Sequence, residues 1–400
     1  MSAGSSTLRV PARASVATLL TALALASRVE AEAPPIHIHG ILDVALASRG
    51  PATESNVLER GDSPLDGYGV RLFIDAGPTD RLTVFTQLVL RDATPLYVDG
   101  AYALFTPWPS RDLHLMAGKI PWPIGTWAPR TYSNKNPLVG TPLMYQYHTS
   151  LLWYDVPANA DQILAMAGRG QYGVGYAFPG GRGMAIVDDS YWDVGAVVTG
   201  SARPFEFAGG AVAGTPGWGS TSLEENDGKT VLGRIGLAPA PLLRIGFSAA
   251  YGPYLHEKLN PRLPTGKTGN DYHQVLLMGD LALEYGHASL IAEAFSNTWE
   301  TPTVGDLDAR GGYVEAKLTL APGLYAAGRG DALRFGDLTD SGGASRSWDR
   351  DLDRLEAGLG YRLDRGTLVK LVWQRDAWLA HGASARQSYD LIAAQLSVAF

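Results

Sequence analysis

Charged residues in this chain recur at alternate positions within short apolar runs, and that spacing is the first sign of chemistry. Arg71 and Asp75 share one side of YGVRLFIDA, and Gln87 and Arg91 share one side of RLTVFTQLVLR. In the same phase, a positive row comprises Arg71, Arg91, Arg234, Arg244, Lys317, Arg329, Arg354, Arg362 and Lys370. A negative row comprises Asp75, Asp99, Asp193, Glu206, Asp280, Glu284, Glu293, Glu315, Asp331 and Glu356. Such rows guide and repel ions, and rings of one sign bias the choice between them. Here the signs nearly balance. The expectation is a wet wall of ion pairs with weak preference between anions and cations.

A second cluster mixes aromatics with cations. From Lys119 to Asp189 no clean alternation appears, and the stretch carries Trp122, Trp127, Arg130, Tyr132, Lys135, Tyr145, Tyr147, Trp153 and Tyr154. Segments this long without regular structure are uncommon and usually functional. Aromatic faces suit sugars or other flat or amphipathic solutes, and the cations suit carboxylates; packing of the segment against a wall is the plainer use.

Other chemistry finds little footing. His37 and His39 share one strand face without an obvious third ligand, so no metal is expected. Asp271 with His273, or Asp188 with Asp189, could be recruited for hydrolysis, but no G-x-S-x-G, H-E-x-x-H, Rossmann fingerprint or phosphate loop occurs. The expectation is no enzyme and no cofactor. The chain has no cysteine, which excludes disulfides and Cys-based zinc sites. A formal charge of -7 speaks against nucleic acid as partner.

The elements that position these residues are strands. Ile36, Ile38, Leu42, Val44 and Leu46 face one way and His37, His39 and Asp43 the other, which is the period of a strand with one apolar face. The pattern gives about 16 strands, beginning near Ile36, Tyr68, Arg81, Leu96, Asp112, Ser190, Pro204, Lys229, Leu242, Asp271, Ala288, Gly312, Gly323, Leu352, Gly366 and Ser388. Tight turns such as GPTD, SARP and LDRG alternate with long polar stretches such as Arg49 to Asp66 and Gly336 to Asp351. Arg9, Arg13 and the uncharged run Val16 to Ala26 read as a signal peptide over 1–31, cleaved after Ala31 or Ala33. No later run of apolar residues is long enough for a spanning helix, so any membrane crossing must be made by strands.

Hydrocarbon tolerates only helices or closed barrels, because every backbone donor and acceptor needs a protein partner. The expected fold is therefore all-β: one transmembrane antiparallel β-barrel over 34–400, with 119–189 as its third outside loop. The alternative, a soluble sandwich, would bury the same apolar rows against a second sheet. In the barrel reading the last strand pairs with the first, and Phe400 sits at the membrane interface, where aromatic rings are favoured.

The runs GGYVEAKLTLAPGLYAAGRGDALRF, RLEAGLGYRLDRGTLVKLVWQRD and QLSVAF resemble the closing hairpins of Gram-negative outer-membrane porins, most nearly the phosphate-selective porin-like group. KTVLGRIGLAPAPLLRIGFSAAYG is similar to a middle hairpin of that group. The resemblance implies passive passage of small hydrophilic solutes, a third loop (119–189) folded inward as a constriction, a homotrimer, a setting of lipid bilayer and lipopolysaccharide, and recognition of terminal Phe400 by the barrel-assembly machinery. The group's phosphate selectivity rests on clustered lysines and arginines. In this loop acids such as Asp155 and Asp161 dilute them, so that selectivity is not carried over. Porins preferring organic acids or sugars, or a barrel sheathing an electron-transfer partner, are the alternatives.

Overall fold

The computed structural model describes residues 34–48, 67–91, 95–171, 173–178, 180–188, 192–219, 226–379 and 386–400. The signal-peptide reading of 1–31 lies outside these residues. One compact unit spans Ile36–Phe400. Its first strands are β1 (Ile36–Ala47), β2 (Gly67–Thr79), β3 (Leu82–Arg91), β4 (Tyr97–Phe105) and β5 (Leu113–Pro121). A long connection leads to β6 (Trp192–Ala202), β7 (Phe205–Val212), β8 (Thr230–Ala240), β9 (Leu243–Pro253), β10 (His273–Tyr285), β11 (Ala288–Trp299), β12 (Leu307–Ala321) and β13 (Leu324–Phe335). A small hairpin of β14 (Asp337–Thr339) and β15 (Ser345–Ser347) precedes β16 (Leu352–Arg362), β17 (Thr367–Leu379) and β18 (Arg386–Ala399).

All strands except β14 and β15 form one closed antiparallel ring of sixteen, in chain order, with β18 paired back onto β1. The seam runs from Ile41 opposite Ala399 to Ala47 opposite Ala393. It is extended by Gly40 N donating to Phe400 O at 2.8 Å and Phe400 N donating to Gly40 O at 3.0 Å. The Phe400 ring lies over Gly40, where a Cβ would stand 2.6 Å from a ring carbon, so the position needs glycine for close approach.

The two faces of the ring are inverted relative to a soluble protein. Outward side chains are apolar and bare: Ile235 is 65 % exposed, Leu371 and Ile392 55 %, and Val314 52 %. Their neighbours on the other face are charged and buried, among them Asp280, Glu315, Arg329 and Lys370. Among the described residues no second sheet covers the apolar rows, so the sandwich alternative fails. No helix among them is long and apolar enough to cross a membrane.

Fifteen strand starts fall within two residues of the sequence reading. The exception is β12, read from Gly312 and found from Leu307. Its first residues, Asp308 and Arg310, are polar on the outward side and so mimic loop.

Val314 lies in the middle of the outward row of β12, so Val314→Arg should cost about 2–4 kcal/mol of folding stability if that row meets hydrocarbon. Denaturant titration in lipid vesicles reads this out. An unchanged midpoint would show that the row is not in lipid.

Candidate functional site

Residues 122–191 connect β5 to β6, and the described ones carry only short pieces of regular structure: a 3₁₀ turn at Ala128–Arg130 and helices at Leu143–Gln146 and Ala160–Ala165. Prolines at 123, 129, 137 and 142 remove backbone donors and break any longer strand or helix. The backbone of this segment is satisfied instead by the charged rows of the wall. Lys370 on β17 donates to the carbonyls of Ser133, Asn136 and Leu138 at 2.9, 3.1 and 2.8 Å. Arg329 on β13 donates to Gly140 O at 2.7 Å, and Arg354 on β16 to Thr141 O at 3.3 Å. Asp331 accepts from Leu143 N at 2.8 Å, and Glu293 on β11 accepts from the Tyr145 hydroxyl at 2.7 Å. A Cβ on Gly140 would stand 2.6 Å from a Glu356 carboxylate oxygen, so only glycine brings the chain this close.

The same stretch reaches other parts of the ring. The Tyr132 hydroxyl donates to Gln87 Oε1 on β3 at 2.8 Å. Ser133 Oγ lies 2.7 Å from Ser397 Oγ on β18 and donates to Asp43 on β1. Burial pushes the Tyr132 phenol up to about 12, so it remains a neutral donor near neutral pH.

The wall charges are coupled to each other. Arg354 makes a two-point bridge to Asp376 at 2.7 and 3.0 Å and also donates to Gln146. Arg329 bridges Glu315 at 3.2 Å and Glu356, and Arg130 of the loop bridges Glu315. Arg234 is held by Asp280 at 2.6 Å, with Glu206 at 3.9 Å.

The sequence reading places Glu293, Glu315, Arg329, Asp331, Arg354, Glu356 and Lys370 on an open wet wall. In the structure each is at most 5 % exposed. They are covered because the loop's carbonyls and amides need partners and these side chains provide them. What stays accessible on the charged rows lies toward the short turns: Asp75, Glu206, Arg244, Glu284, Lys317 and Arg362. Asp75 has His39 at 4.0 Å, and Lys317 lies 4.7 Å from the Tyr325 ring centre. Arg71 pairs with Asp43 at 3.7 Å and overlies Tyr132. Asp99 is an extra residue in β4 opposite β3 and accepts from Gln87 at 2.6 Å. The Arg91 side chain lies outside the described residues.

The loop aromatics form a core rather than a lined surface. Trp127 is stacked at 6.0 Å on Tyr145 and is flanked by the guanidiniums of Arg130 and Arg329 at 5.0 and 5.8 Å. Trp122 and Tyr147 are equally buried, with the Tyr147 hydroxyl donating to Asp349 at 2.9 Å. Lys135 alone of the named loop residues is exposed. Lys119 is a correction: it lies within β5 and donates to Val98 O at 2.8 Å, because strand pairing continues through Pro121.

Two carboxylates that the sequence reading did not assign anchor this segment. Asp349 accepts from Ser150 N and Gly168 N, both at 2.6 Å, yet burial keeps its carboxyl above the usual range. Burial pushes Asp155 up as well. There the amides of Ala177, Phe178 and Tyr176 together with Arg262 outweigh it and hold the carboxyl low. Asp376, on the polar row of β17, was readable from its period. Asp155 and Asp349 lie in loops, where no period marks them.

A scan against protein-family models gives no match, and neither does a search of curated proteins. Solved structures do match. An anion-selective porin from Comamonas acidovorans aligns with TM-score 0.56 at 9 % identity, covering 92 % of this chain and 100 % of that one. OmpF of Salmonella typhi, in complex with daunomycin, gives 0.56 at 10 %, covering 92 % and 98 %. The outer-membrane channel DcaP of Acinetobacter baumannii gives 0.54 at 7 %, also covering 92 % and 98 %. The chain has the barrel fold of these Gram-negative outer-membrane proteins. The matches do not single out a phosphate-selective group.

Arg354→Met strips Asp376 of its guanidinium and should cost roughly 3–5 kcal/mol, read from the shift in denaturant midpoint. The lowered Asp155 carboxyl adds stability above its ordinary value of 3.8 that is lost as pH falls through the still lower folded value. Cleavage between Gly175 and Gly180 should therefore appear with pepsin only in strong acid. Asp155→Asn should expose the same site to chymotrypsin at neutral pH.

Proposed function

We propose that this protein is a passive diffusion channel for small hydrophilic solutes and ions in the outer membrane of a Gram-negative bacterium. The observation that carries the reading is the inversion of the ring, with bare apolar rows outside and charged rows within. Such a ring is stable in hydrocarbon and holds water inside. Residues 122–191 narrow the passage, since one stretch of them is bonded to strands on several sides of the ring.

Selectivity follows from the charges left accessible. Asp75, Glu206 and Glu284 stand against Arg244, Lys317 and Arg362 toward the short turns, so neither sign prevails. The buried charges do not enter that balance, because they are engaged with one another and with the loop. We assign weak charge selectivity on that ground, and we assign no preferred organic acid, sugar or phosphate. A sheath for a threaded partner fits poorly, because the chain's own loop is bonded across the interior. Assembly as a homotrimer, export through a cleaved signal peptide and recognition of Phe400 by the assembly machinery belong to the same reading.

Planar bilayers test it directly. The purified protein alone should give discrete conductance steps, with a reversal potential near zero in a salt gradient. Removal of residues 133–139, which Lys370 and Tyr325 hold against the wall, should raise the step size. Silence in bilayers would overturn the channel, and an unchanged step would overturn the narrowing role.

A further inference from the structure

On the inner face of β1 to β4, toward the short turns, aromatic rings gather around one carboxylate. Asp75 on β2 lies opposite His37 of β1 and Phe85 of β3, and Phe85 lies opposite Tyr102 of β4. One step nearer the long loops on that face, Phe73 lies opposite His39. The rings are layered in pairs: His39 on Phe73 at 5.1 Å and 16°, and Phe85 on Tyr102 at 5.1 Å and 23°. Tyr132 stands edge-on to Phe73 at 5.3 Å, and Trp192 at the start of β6 is tilted against Tyr102 at 6.3 Å. Both approach from the long-loop side. On β5 it is Gly118 that stands opposite Tyr102, so no side chain crowds the ring there.

Two features of this group are out of place in a wall that only holds water. The inner row of such a wall is polar, yet Phe73, Phe85 and Tyr102 stand in it and are each only half-buried. The Asp75 side chain is 27 % exposed, and its one partner among the described residues is His39 at 4.0 Å, beyond hydrogen-bond reach. Neighbouring acids are engaged: Asp43 by Ser133 and by Arg71 at 3.7 Å, and Asp99 by Gln87 at 2.6 Å. Arg71 is thereby turned toward Asp43, and it overlies Tyr132 at 5.9 Å. A carboxylate with accessible rings beside it is the complement of an organic cation. The charge meets the oxygens, and the hydrocarbon body meets the negative faces of the rings.

We propose that Asp75, Phe73, Phe85 and Tyr102 form a subsite on the inner wall for organic cations, meaning ammonium ions that carry an apolar or aromatic body. The subsite rests on the channel reading for its access to solutes. An organic anion is the poorer occupant. Its own carboxylate would lie beside Asp75 and would have to draw Arg71 away from Asp43. The weak overall preference between ions is not altered by this assignment. The site uses the position of one acid among rings, not an excess of acids.

Saturation-transfer NMR of the full protein in a non-ionic detergent tests this, with benzyltrimethylammonium, benzyl alcohol and benzoate as probes. Wild type should hold the cation roughly tenfold more tightly than the alcohol, and benzoate least of the three. Asp75→Asn should remove the advantage over the alcohol. Phe85→Leu keeps apolar bulk without a ring face and should weaken the cation about fivefold. Glu284→Gln removes an equally charged, accessible acid on β10 and should leave cation binding as in wild type. In planar bilayers the cation should reduce the potassium chloride current of wild type saturably, and Asp75→Asn should abolish that block. Equal affinity for cation and alcohol overturns the site, as does an unchanged affinity in Phe85→Leu. A loss in Glu284→Gln as large as that in Asp75→Asn also overturns it, because the general field of the interior would then be the cause. Current without selective binding overturns the site and leaves the channel; selective binding without current does the reverse.

Discussion

Backbone amides and carbonyls cannot be left unpaired where no water reaches, and the whole molecule is arranged around that constraint. Sixteen strands satisfy it by closing on themselves, with β18 paired to β1, so the ring presents no free edge. The same constraint governs the interior. The connection between β5 and β6 cannot use a ladder, because its prolines and irregular course prevent one. Its carbonyls are met by Lys370, Arg329 and Arg354, and an amide by Asp331. The charged rows therefore do two things at once. They keep the inner face polar, and they hold a long segment in a single position against it.

That double use explains the pattern of burial. Charges on β11, β13, β16 and β17 are consumed by the loop and by one another, and bridges such as Arg354–Asp376 are dry. Breaking a buried bridge is costly because the surviving partner cannot be hydrated, so these pairs hold the shape of the interior. Charges toward the short turns remain accessible, and both signs are present among them.

The outer face obeys the complementary rule. Its bare side chains are mostly aliphatic or aromatic, and among the described residues its few charges are paired or lie near the long-loop ends of the strands. Arg375 is bound by Asp390 at two points, and Trp373 donates to the same carboxylate. Arg310 departs from this rule, facing Arg334 instead of an acid. That local departure makes the rim of β12 and β13 distinctive.

Much of the architecture is legible in the one-dimensional text. Alternation along IHIHGILDVALA or QVLLMGDLALEY tells which residues share a face, because a strand has period two whatever it packs against, and the count of such runs gives the ring its size. The start of β12 escaped because Asp308 and Arg310 put polar residues on the outward phase. Lys119 was read as loop because no clean alternation appears beyond it, whereas pairing with β6 carries the strand to Pro121. Only the tertiary structure decided which charges are open and which are covered. That depends on where an aperiodic segment of about 70 residues runs, and its course follows from hydrogen bonds between residues far apart in the chain, such as Lys370 with Ser133 or Tyr147 with Asp349. Local spacing carries the period of a strand. It does not carry the partners of a loop.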